Sequence, residues 1–212
     1  MNIVFFGATG PAGRLTLTKL LAAGHVVTVY ARQPAKLGIE HEHLIAVRGE
    51  LTDAALINQI MSGADAVISL LGPSRRSRGT PVAEGMRVIV KAMQAHGVRR
   101  IIATATPSAI DPQDRPQLAF TLAVGAVQLL AGSAHQEIVE TANAIRTTRL
   151  DWTVLRLPLL SDRPNDRPVA IGYVGDASIR PLWLSRERLA QFVVDQLDDR
   201  RWIMKSPMIC NG

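Results

Sequence analysis

The chain has 212 residues, enough for one domain with a full-sized core, and 47% of them are hydrophobic, a proportion that excludes an intrinsically disordered chain. The formal net charge of +6 favours an anionic partner, but the aromatic fraction of 4% and the short basic clusters argue against specific nucleic-acid binding. The single cysteine, Cys210, excludes an internal disulfide and the start lacks the basic region of a signal peptide, so we expect a cytoplasmic protein.

Short apolar runs and amphipathic segments alternate along the chain, as expected for strands joined by helices. The apolar, β-branched runs predict six strands, at 2–7, 26–32, 43–51, 65–72, 99–106 and 151–157. The segments between and after them predict helices at 11–24, 53–61, 80–97, within 118–147 and at 185–197. Thr52 and Ser185 are the predicted N-caps of the second and last helices, and 201–209 is predicted to add an edge strand.

Near-continuous apolar strands separated by helices are typical of a parallel sheet covered on both faces. Right-handed crossovers then give a doubly wound α/β fold of the Rossmann type. The glycines and prolines are dispersed, without a linker-like block or an internal repeat. We therefore expect a single domain over 1–212, with a small C-terminal part on the substrate side.

One segment, 116–134, contains no charged residue over nineteen positions, close to the length of a membrane-spanning helix. Its polar residues, its two glycines and its place inside the α/β pattern favour a buried helix, a lid over a substrate or a subunit contact. We therefore expect no membrane partner, and a monomer or a homodimer.

Three glycines at steps of three, Gly7, Gly10 and Gly13, lie between the first predicted strand and the first predicted helix. The pyrophosphate of a dinucleotide binds at such a helix N-terminus, because free N–H groups and the helix dipole favour negative charge there. The GxxGxxG spacing alone is a weak signal, since a glycine turn without a ligand has the same pattern. Its position at the start of a βαβαβ run indicates a nucleotide site.

The end of the second predicted strand bears on which dinucleotide binds. An acidic residue at that point would bind the ribose hydroxyls of NAD, whereas this chain has Arg32, with Lys36 following and no carboxylate between them. A guanidinium holds a 2′-phosphate by two charge-assisted hydrogen bonds, so the sequence favours NADP(H) over NAD(H). The alternative is a solvated surface arginine.

Six stretches resemble the atypical short-chain dehydrogenase/reductase superfamily, in its NAD(P)H-binding and NmrA-like groups: GATGPAG, VTVYAR, RGELTD, DAVISLLG, EGMRVIVKAMQAHGVRRIIATAT and LDWTVLRLP. The resemblance extends over nearly the whole chain and is most specific from Asp65 to Thr106. Within the superfamily the chain is similar to reductases of the biliverdin-IXβ type, which are NADPH-dependent flavin reductases.

The resemblance implies a cofactor site at the ends of the strands. The pyrophosphate would be surrounded by Thr9, Gly10, Pro11, Ala12 and Gly13. Arg14 is either a second cation there or a solvent-facing arginine. The adenine would be framed by Glu50 and Leu51, and the central part of the cofactor would lie beside Leu70, Leu71 and Gly72. The nicotinamide pocket would be lined by Thr106, Pro158 and Leu159.

Most short-chain dehydrogenases transfer a proton with a Tyr-x-x-x-Lys pair, and neither Tyr30 nor Tyr173 begins such a pair. Reductases of the biliverdin-IXβ type also lack it, and hydride transfer mainly requires the protein to position the two reacting rings. The candidate catalytic hydroxyls are those of Thr106 and Ser108, which can orient an acceptor but are weak acids.

Other polar side chains are weaker candidates. His135 lies on a predicted helix and is more often structural in such a place, and Glu137 and Glu140 are expected to face solvent. No metal site is predicted, because His41 and His43 form a His-x-His pair without a third ligand.

Two functions remain open at this point. The first is an NADPH-dependent oxidoreductase that transfers hydride to an anionic or aromatic planar acceptor, such as a flavin, a quinone or a tetrapyrrole. The second is a non-catalytic regulatory protein of the NmrA-like type that senses NADP(H), which the missing pair favours. The segments after the strands, 73–80, 107–134 and 158–182, are the predicted substrate zone.

Overall fold

The computed structural model describes residues 1–72, 79–115, 117–130, 132–180 and 183–212. Its strands are β1 (Asn2–Phe6), β2 (Val26–Ala31), β3 (Leu44–Arg48), β4 (Ala66–Ser69), β5 (Arg100–Ala105), β6 (Asp151–Arg156), β7 (Leu159–Ser161), β8 (Val169–Gly172), β9 (Trp183–Ser185) and β10 (Met208–Asn211). Its helices are α1 (Pro11–Ala22), α2 (Ala54–Ile60), α3 (Pro81–Ala95), α4 (Leu118–Leu130), α5 (Gly132–Arg146) and α6 (Arg186–Asp195), with a 3₁₀ turn at Pro34–Leu37.

One eight-stranded sheet organises the chain, in the order β3-β2-β1-β4-β5-β6-β10-β8. The pairs from β3 across to β10 are parallel, and β8 pairs antiparallel to β10. The doubly wound Rossmann-type fold is confirmed. Because β1 lies between β2 and β4, the strand order reverses at β1, and a crevice opens at the carboxyl ends of these strands.

Both faces of the sheet are covered, which explains the nearly continuous apolar strands. Alternate residues of β1 enter two different cores. Ile3 and Phe5 pack with residues of α1 and α6, whereas Val4 and Phe6 pack with residues of α2, α3 and α5. The first strand is therefore buried on both sides, and it holds the turn that follows it in a fixed place.

Two local predictions are wrong. The N-cap of α2 is Asp53, whose carboxylate accepts the backbone N–H of Leu56 at 3.0 Å, one residue after the predicted Thr52. The predicted edge strand at 201–209 is displaced, because the chain turns at 201–204 and β10 begins only at Met208. This strand is internal, since β8 pairs along its outer side. The predicted N-cap Ser185 of α6 is confirmed.

The sequence predicts one helix within 118–147, and the structure has two there, α4 and α5. Two leucines of α4, Leu118 and Leu122, are exposed. Across the described ranges, none of the helices has both the length and the apolar character that a bilayer crossing requires.

A buried ion pair fixes the loop after β5. The guanidinium of Arg156, fully buried, donates to both carboxylate oxygens of Asp114, at 2.5 and 2.7 Å. Burial alone would raise the pKa of Asp114, but hydrogen bonds from Arg156 and from the backbone N–H groups of Asp111 and Val174 hold that pKa below its ordinary value. The pair ties the loop to β6 and to the segment after β8.

Candidate functional site

Two adjoining clefts lie at the carboxyl ends of the strands, at the point where the strand order reverses. The larger has a volume of about 570 Å³ and extends from the glycine turn to the ends of β2 and β3. The smaller has a volume of about 240 Å³ and lies over the ends of β5 and β6. Leu71, Gly72 and Val82 line both clefts, so one elongated ligand can reach from one into the other.

The three glycines of the turn have different physical roles. Gly7 has φ +89°, and a Cβ there would lie 2.6 Å from the carbonyl carbon of Leu70. A Cβ on Gly13 would lie 2.2 Å from the carbonyl oxygen of Gly7. The chain itself therefore requires glycine at both positions, because the helix, the turn and the next strand are in close contact.

Gly10 differs, because nothing in the protein requires its missing side chain. Its φ is −74°, which any residue adopts, and a Cβ there would meet its nearest neighbour at an ordinary 3.6 Å. Gly10 is the N-cap of α1, so the N–H groups of Ala12 and Gly13 have no acceptor within the helix. An open backbone beside free N–H groups at a helix N-terminus fits a phosphate.

A cluster of positive charge forms the far end of the larger cleft. Arg32 and Lys36 line this end, as predicted from the sequence, and Arg48 joins them. Parallel pairing brings Arg48 to this place, because it is the register partner of Ala31 at the end of β2. Within the described part of the chain, none of the three cationic side chains makes a hydrogen bond or an ion pair. They are free to bind an anion.

Tyr30 supports the wall beside this cluster. Its hydroxyl donates to the carbonyl oxygen of Glu50 at 2.9 Å, and the absence of a side chain on Gly49 leaves room for the ring. Burial, followed by the charges of Asp53 and Glu50, raises the pKa of Tyr30 above its ordinary value. Tyr30 is therefore a neutral structural group that positions Glu50 and Leu51.

The smaller cleft has an apolar wall with a few hydroxyl groups. Its lining residues are Ala12, Leu70, Leu71, Gly72, Val82, Thr104, Ala105, Thr106, Ile138, Thr141, Leu157, Pro158, Leu160 and Leu189. Among these described residues there is no ionisable side chain. Sequence reasoning missed Ile138 and Thr141, which come from α5 and mark the helix face that covers the cleft.

The two candidate catalytic hydroxyls are hydrogen-bonded to each other. The Oγ1 atom of Thr106 lies 2.7 Å from the Oγ atom of Ser108. Thr106 lines the smaller cleft, whereas Ser108 is 6% exposed and lines neither cleft. Only Thr106 of this pair can contact a ligand in the cleft.

The other predicted site residues separate into those that line a cleft and those that do not. The larger cleft is lined by Gly7, Thr9, Arg32, Glu50, Leu51, Leu71 and Gly72, and the smaller by Ala12, Leu70, Leu71, Gly72, Thr106 and Pro158. Gly10, Pro11, Gly13 and Arg14 lie in the turn and the first turn of α1 without lining either cleft. Arg14 is exposed.

Two predicted placements are corrected. Leu159 is 78% exposed and lies outside the smaller cleft, while Leu160 lines it, because successive side chains of β7 point to opposite faces. Glu137 is only 2% exposed, and its carboxylate accepts the backbone N–H of Val82 at 2.7 Å. This carboxylate caps the N-terminus of α3. Glu140 does lie at the surface, paired with Arg87 at 2.8 Å.

Some candidates fall outside these clefts or outside the described residues. Tyr173 accepts a hydrogen bond from Gln113 at 3.0 Å and lies 6.0 Å from the Arg156 guanidinium, so it belongs to the buried ion-pair region. The basic segment 73–78, part of the predicted substrate zone, lies outside the described residues. Groups of three or more side chains suited to a metal ion are absent from the part of the chain that the structure describes.

The doubly wound sheet, the glycine turn and the cleft at the strand reversal together define a dinucleotide-binding protein of the Rossmann class. A family model described as NAD(P)H-binding matches residues 7–200. The chain belongs to this NAD(P)H-binding family.

Relatives with named activities are distant. The phenylcoumaran benzylic ether reductase IRL1 of Ginkgo biloba is 23% identical over 217 residues, which cover 97% of this chain and 67% of that protein. The dihydroflavonol 4-reductase of Hordeum vulgare is 27% identical over 135 residues, which cover 56% of this chain and 38% of that protein. The chain thus spans about a third to two thirds of the length of these relatives.

Solved structures show the same fold. A wide-type short-chain dehydrogenase/reductase of Veillonella parvula, in complex with NADP, superposes with a TM-score of 0.80 at 23% identity, covering 100% of this chain and 94% of that one. ChuY, an anaerobillin reductase of Escherichia coli O157:H7, superposes with a TM-score of 0.74 at 18% identity, covering 100% of this chain and 98% of that one.

Proposed function

We propose that the chain is an NADPH-dependent reductase that transfers hydride to a planar conjugated acceptor, such as a flavin, a quinone or a tetrapyrrole. The observation that carries the proposal is the smaller cleft. It adjoins the dinucleotide cleft through shared residues, and its described lining offers apolar surface and hydroxyls but no ionisable side chain. The names of the Ginkgo and Escherichia proteins, both reductases, support the reaction class.

The cleft chemistry selects the kind of acceptor. The reduced nicotinamide supplies the hydride when the cofactor is bound. The residues Leu71, Leu157 and Leu160 give the cleft apolar surface for a ring, and Thr106 offers a hydroxyl. An isolated ketone requires a proton at its oxygen as hydride arrives, and a threonine hydroxyl is too weak an acid to give one. A conjugated ring spreads the new charge and takes its proton from solvent, so such rings are the expected acceptors.

The cation cluster supports NADPH as the preferred cofactor. Arg32, Lys36 and Arg48 place three unpaired positive charges at the end of the cleft where an adenosine 2′-phosphate would lie, and Glu50 is the single carboxylate among the described lining residues. A dianionic phosphate gains charge-assisted hydrogen bonds there that a ribose hydroxyl does not. NADPH is therefore expected to bind more tightly than NADH.

Cofactor titrations test this preference. Arg32→Ala and Arg48→Ala each remove one charge-assisted hydrogen bond, so each is expected to weaken NADPH binding by at least about tenfold and NADH binding by less than about twofold. Arg149→Ala is the matched control, because Arg149 is an exposed arginine at the opposite ends of the strands, and it should change neither affinity. Equal losses for NADPH and NADH in the two site variants would reject the assignment of the 2′-phosphate to this cluster.

Turnover is tested by following NADPH absorbance with lumiflavin, menadione and biliverdin, and with acetophenone as an isolated ketone. We expect oxidation of NADPH with at least one conjugated acceptor and none with acetophenone. Tight NADPH binding without turnover on any conjugated acceptor would contradict the reductase proposal. It would favour the second candidate, an NADP(H)-sensing regulatory protein, which the missing Tyr-x-x-x-Lys pair also supports.

A further inference from the structure

The hydroxyl groups of the smaller cleft have hydrogen-bond directions that follow from their partners. Ser108 is 6% exposed, and Thr106 is its side chain's one hydrogen-bond partner among the described residues. If Thr106 donated to Ser108, the Ser108 proton would be buried without an acceptor, which is costly. Ser108 therefore donates to Thr106, and the proton of Thr106 is left for a ligand in the cleft that this residue lines.

Thr141 has the opposite character. Its Oγ1 donates to the carbonyl oxygen of Glu137, one helical turn earlier, at 2.7 Å. The single hydroxyl proton is used in that bond, so the oxygen can only accept from a ligand. Thr104, the third hydroxyl of the cleft, has no hydrogen-bond partner among the described residues and can act in either direction.

From these two directions, and resting on the proposed function, we infer that the smaller cleft recognises a ring bearing an amide: a carbonyl oxygen that accepts from Thr106 and an N–H that donates to Thr141. Two parts of the reaction have this chemistry. One is the carboxamide of the nicotinamide ring, and the other is a lactam or imide of the acceptor, as in a flavin. A quinone offers carbonyl groups without an N–H and satisfies only Thr106.

Ser108 is then a positioning residue, because it acts on a ligand only through Thr106. The direction of the hydrogen bond between Ser108 and Thr106 determines whether Ser108→Ala weakens or tightens ligand binding. If Ser108 donates, Ser108→Ala leaves the Thr106 hydroxyl free to rotate and weakens the binding of a carbonyl ligand. If the direction were reversed, the same variant would release the Thr106 proton and tighten that binding.

The cofactor arm measures dissociation constants by fluorescence, so it requires no turnover. Reduced 3-acetylpyridine adenine dinucleotide phosphate keeps the carbonyl group of NADPH and lacks its N–H. If Thr141 accepts from the carboxamide, the wild-type protein binds NADPH about fivefold more tightly than this analogue, because NADPH makes one more hydrogen bond. In Thr141→Val the two ligands then bind about equally. Thr106→Val and Ser108→Ala weaken both ligands, the former by about fivefold.

The acceptor arm uses lumiflavin and N3-methyl-lumiflavin, bound to protein saturated with NADP⁺ and followed by flavin fluorescence. If Thr141 accepts from the flavin, wild type prefers lumiflavin and Thr141→Val loses this preference. Thr147→Val is the matched control, because Thr147 makes the same hydroxyl-to-carbonyl bond, to Asn143 at 2.9 Å, on exposed surface away from both clefts. It should change neither preference.

If Thr141→Val loses the preference for NADPH over its acetyl analogue, or the preference for lumiflavin over N3-methyl-lumiflavin, the inference is supported. The experiment in which the preference is lost identifies the amide that Thr141 contacts. The inference is overturned if Thr141→Val leaves both preferences unchanged, or if Ser108→Ala tightens NADPH. Circular dichroism and thermal melting of each variant establish that it is folded. Because both arms measure binding, a protein that binds the amide as expected but oxidises no NADPH would contradict the proposed reductase and leave this inference standing.

Discussion

The separate roles of Gly10 and Gly13 give a prediction in which folding and cofactor binding are lost independently. In Gly10→Ala the new Cβ meets the carbonyl oxygen of Gly7 at an ordinary 3.6 Å, and the backbone conformation suits any residue. The helix loses only some N-cap quality, about 1 kcal/mol, and Gly10→Ser restores a good cap. Both variants should therefore fold.

Cofactor binding should respond very differently. A methyl group on the open side of Gly10 would hold a phosphate away from the free N–H groups of Ala12 and Gly13. The loss of one charge-assisted hydrogen bond is worth about 1.5–3 kcal/mol, so the affinity for NADPH should fall about 10- to 150-fold. NADH should lose a similar factor, because its pyrophosphate is the same.

Gly13→Ala is the contrasting variant. Its Cβ would lie 2.2 Å from the Gly7 carbonyl oxygen and 2.8 Å from the backbone of Ala8, so the helix must shift, at a cost of up to about 3 kcal/mol. Urea unfolding measures the stability of each variant, and isothermal titration measures its affinity for both cofactors. A Gly10→Ala protein that is stable and binds NADPH as tightly as wild type would refute the placement of the pyrophosphate at α1.

Two further predictions concern the buried carboxylates. Asp114→Asn removes the charge facing the buried Arg156 and should lower the stability by about 3–5 kcal/mol at neutral pH. Because the folded pKa of Asp114 is depressed, this stabilisation is present above the unfolded pKa, near 4, and is lost as the pH falls through the folded pKa. The difference in melting temperature between wild type and Asp114→Asn should therefore narrow below pH 4, and a difference that stays constant would contradict this reasoning. Glu137→Ala should lower the free energy of unfolding in urea by about 1–2 kcal/mol. Glu137→Gln keeps an acceptor for the N–H of Val82 and should lose less stability. Equal losses in the two variants would show that this hydrogen bond is not the stabilising feature.

The sheet could be predicted from the sequence because each of its main strands is a buried apolar run. β7 and β9 have three residues each, too few to show a periodicity, and β10 begins later than predicted. The shortness of β7 also explains why Leu159, rather than Leu160, was predicted to line the cleft. In a three-residue strand the sequence does not show which of two adjacent leucines faces inward, and the pairing of β7 with β9 decides it.

Side chains brought together by tertiary contacts were harder to predict. Arg48 lies sixteen positions after Arg32 in the sequence, and only the parallel register of β2 and β3 places it in the same cluster. Glu137 and Glu140 are three residues apart on one helix, so the sequence alone does not distinguish their environments. The N-terminus of α3 packs against one of them and makes their burial different.

The cap on α3 also bears on where an anion binds, because the first turns of α1 and α3 both contribute residues to the cleft walls. Val82, in the first turn of α3, gives its N–H to Glu137, and the same turn contains Glu84. The first turn of α1 has no acidic residue, and its N-cap is the open Gly10. The positive end of the α3 dipole is thus already neutralised within the protein, while that of α1 remains available. Of these two helix ends, that of α1 keeps free N–H groups for an anion, whereas that of α3 is occupied by Glu137 and adds Val82 to the wall shared by both clefts.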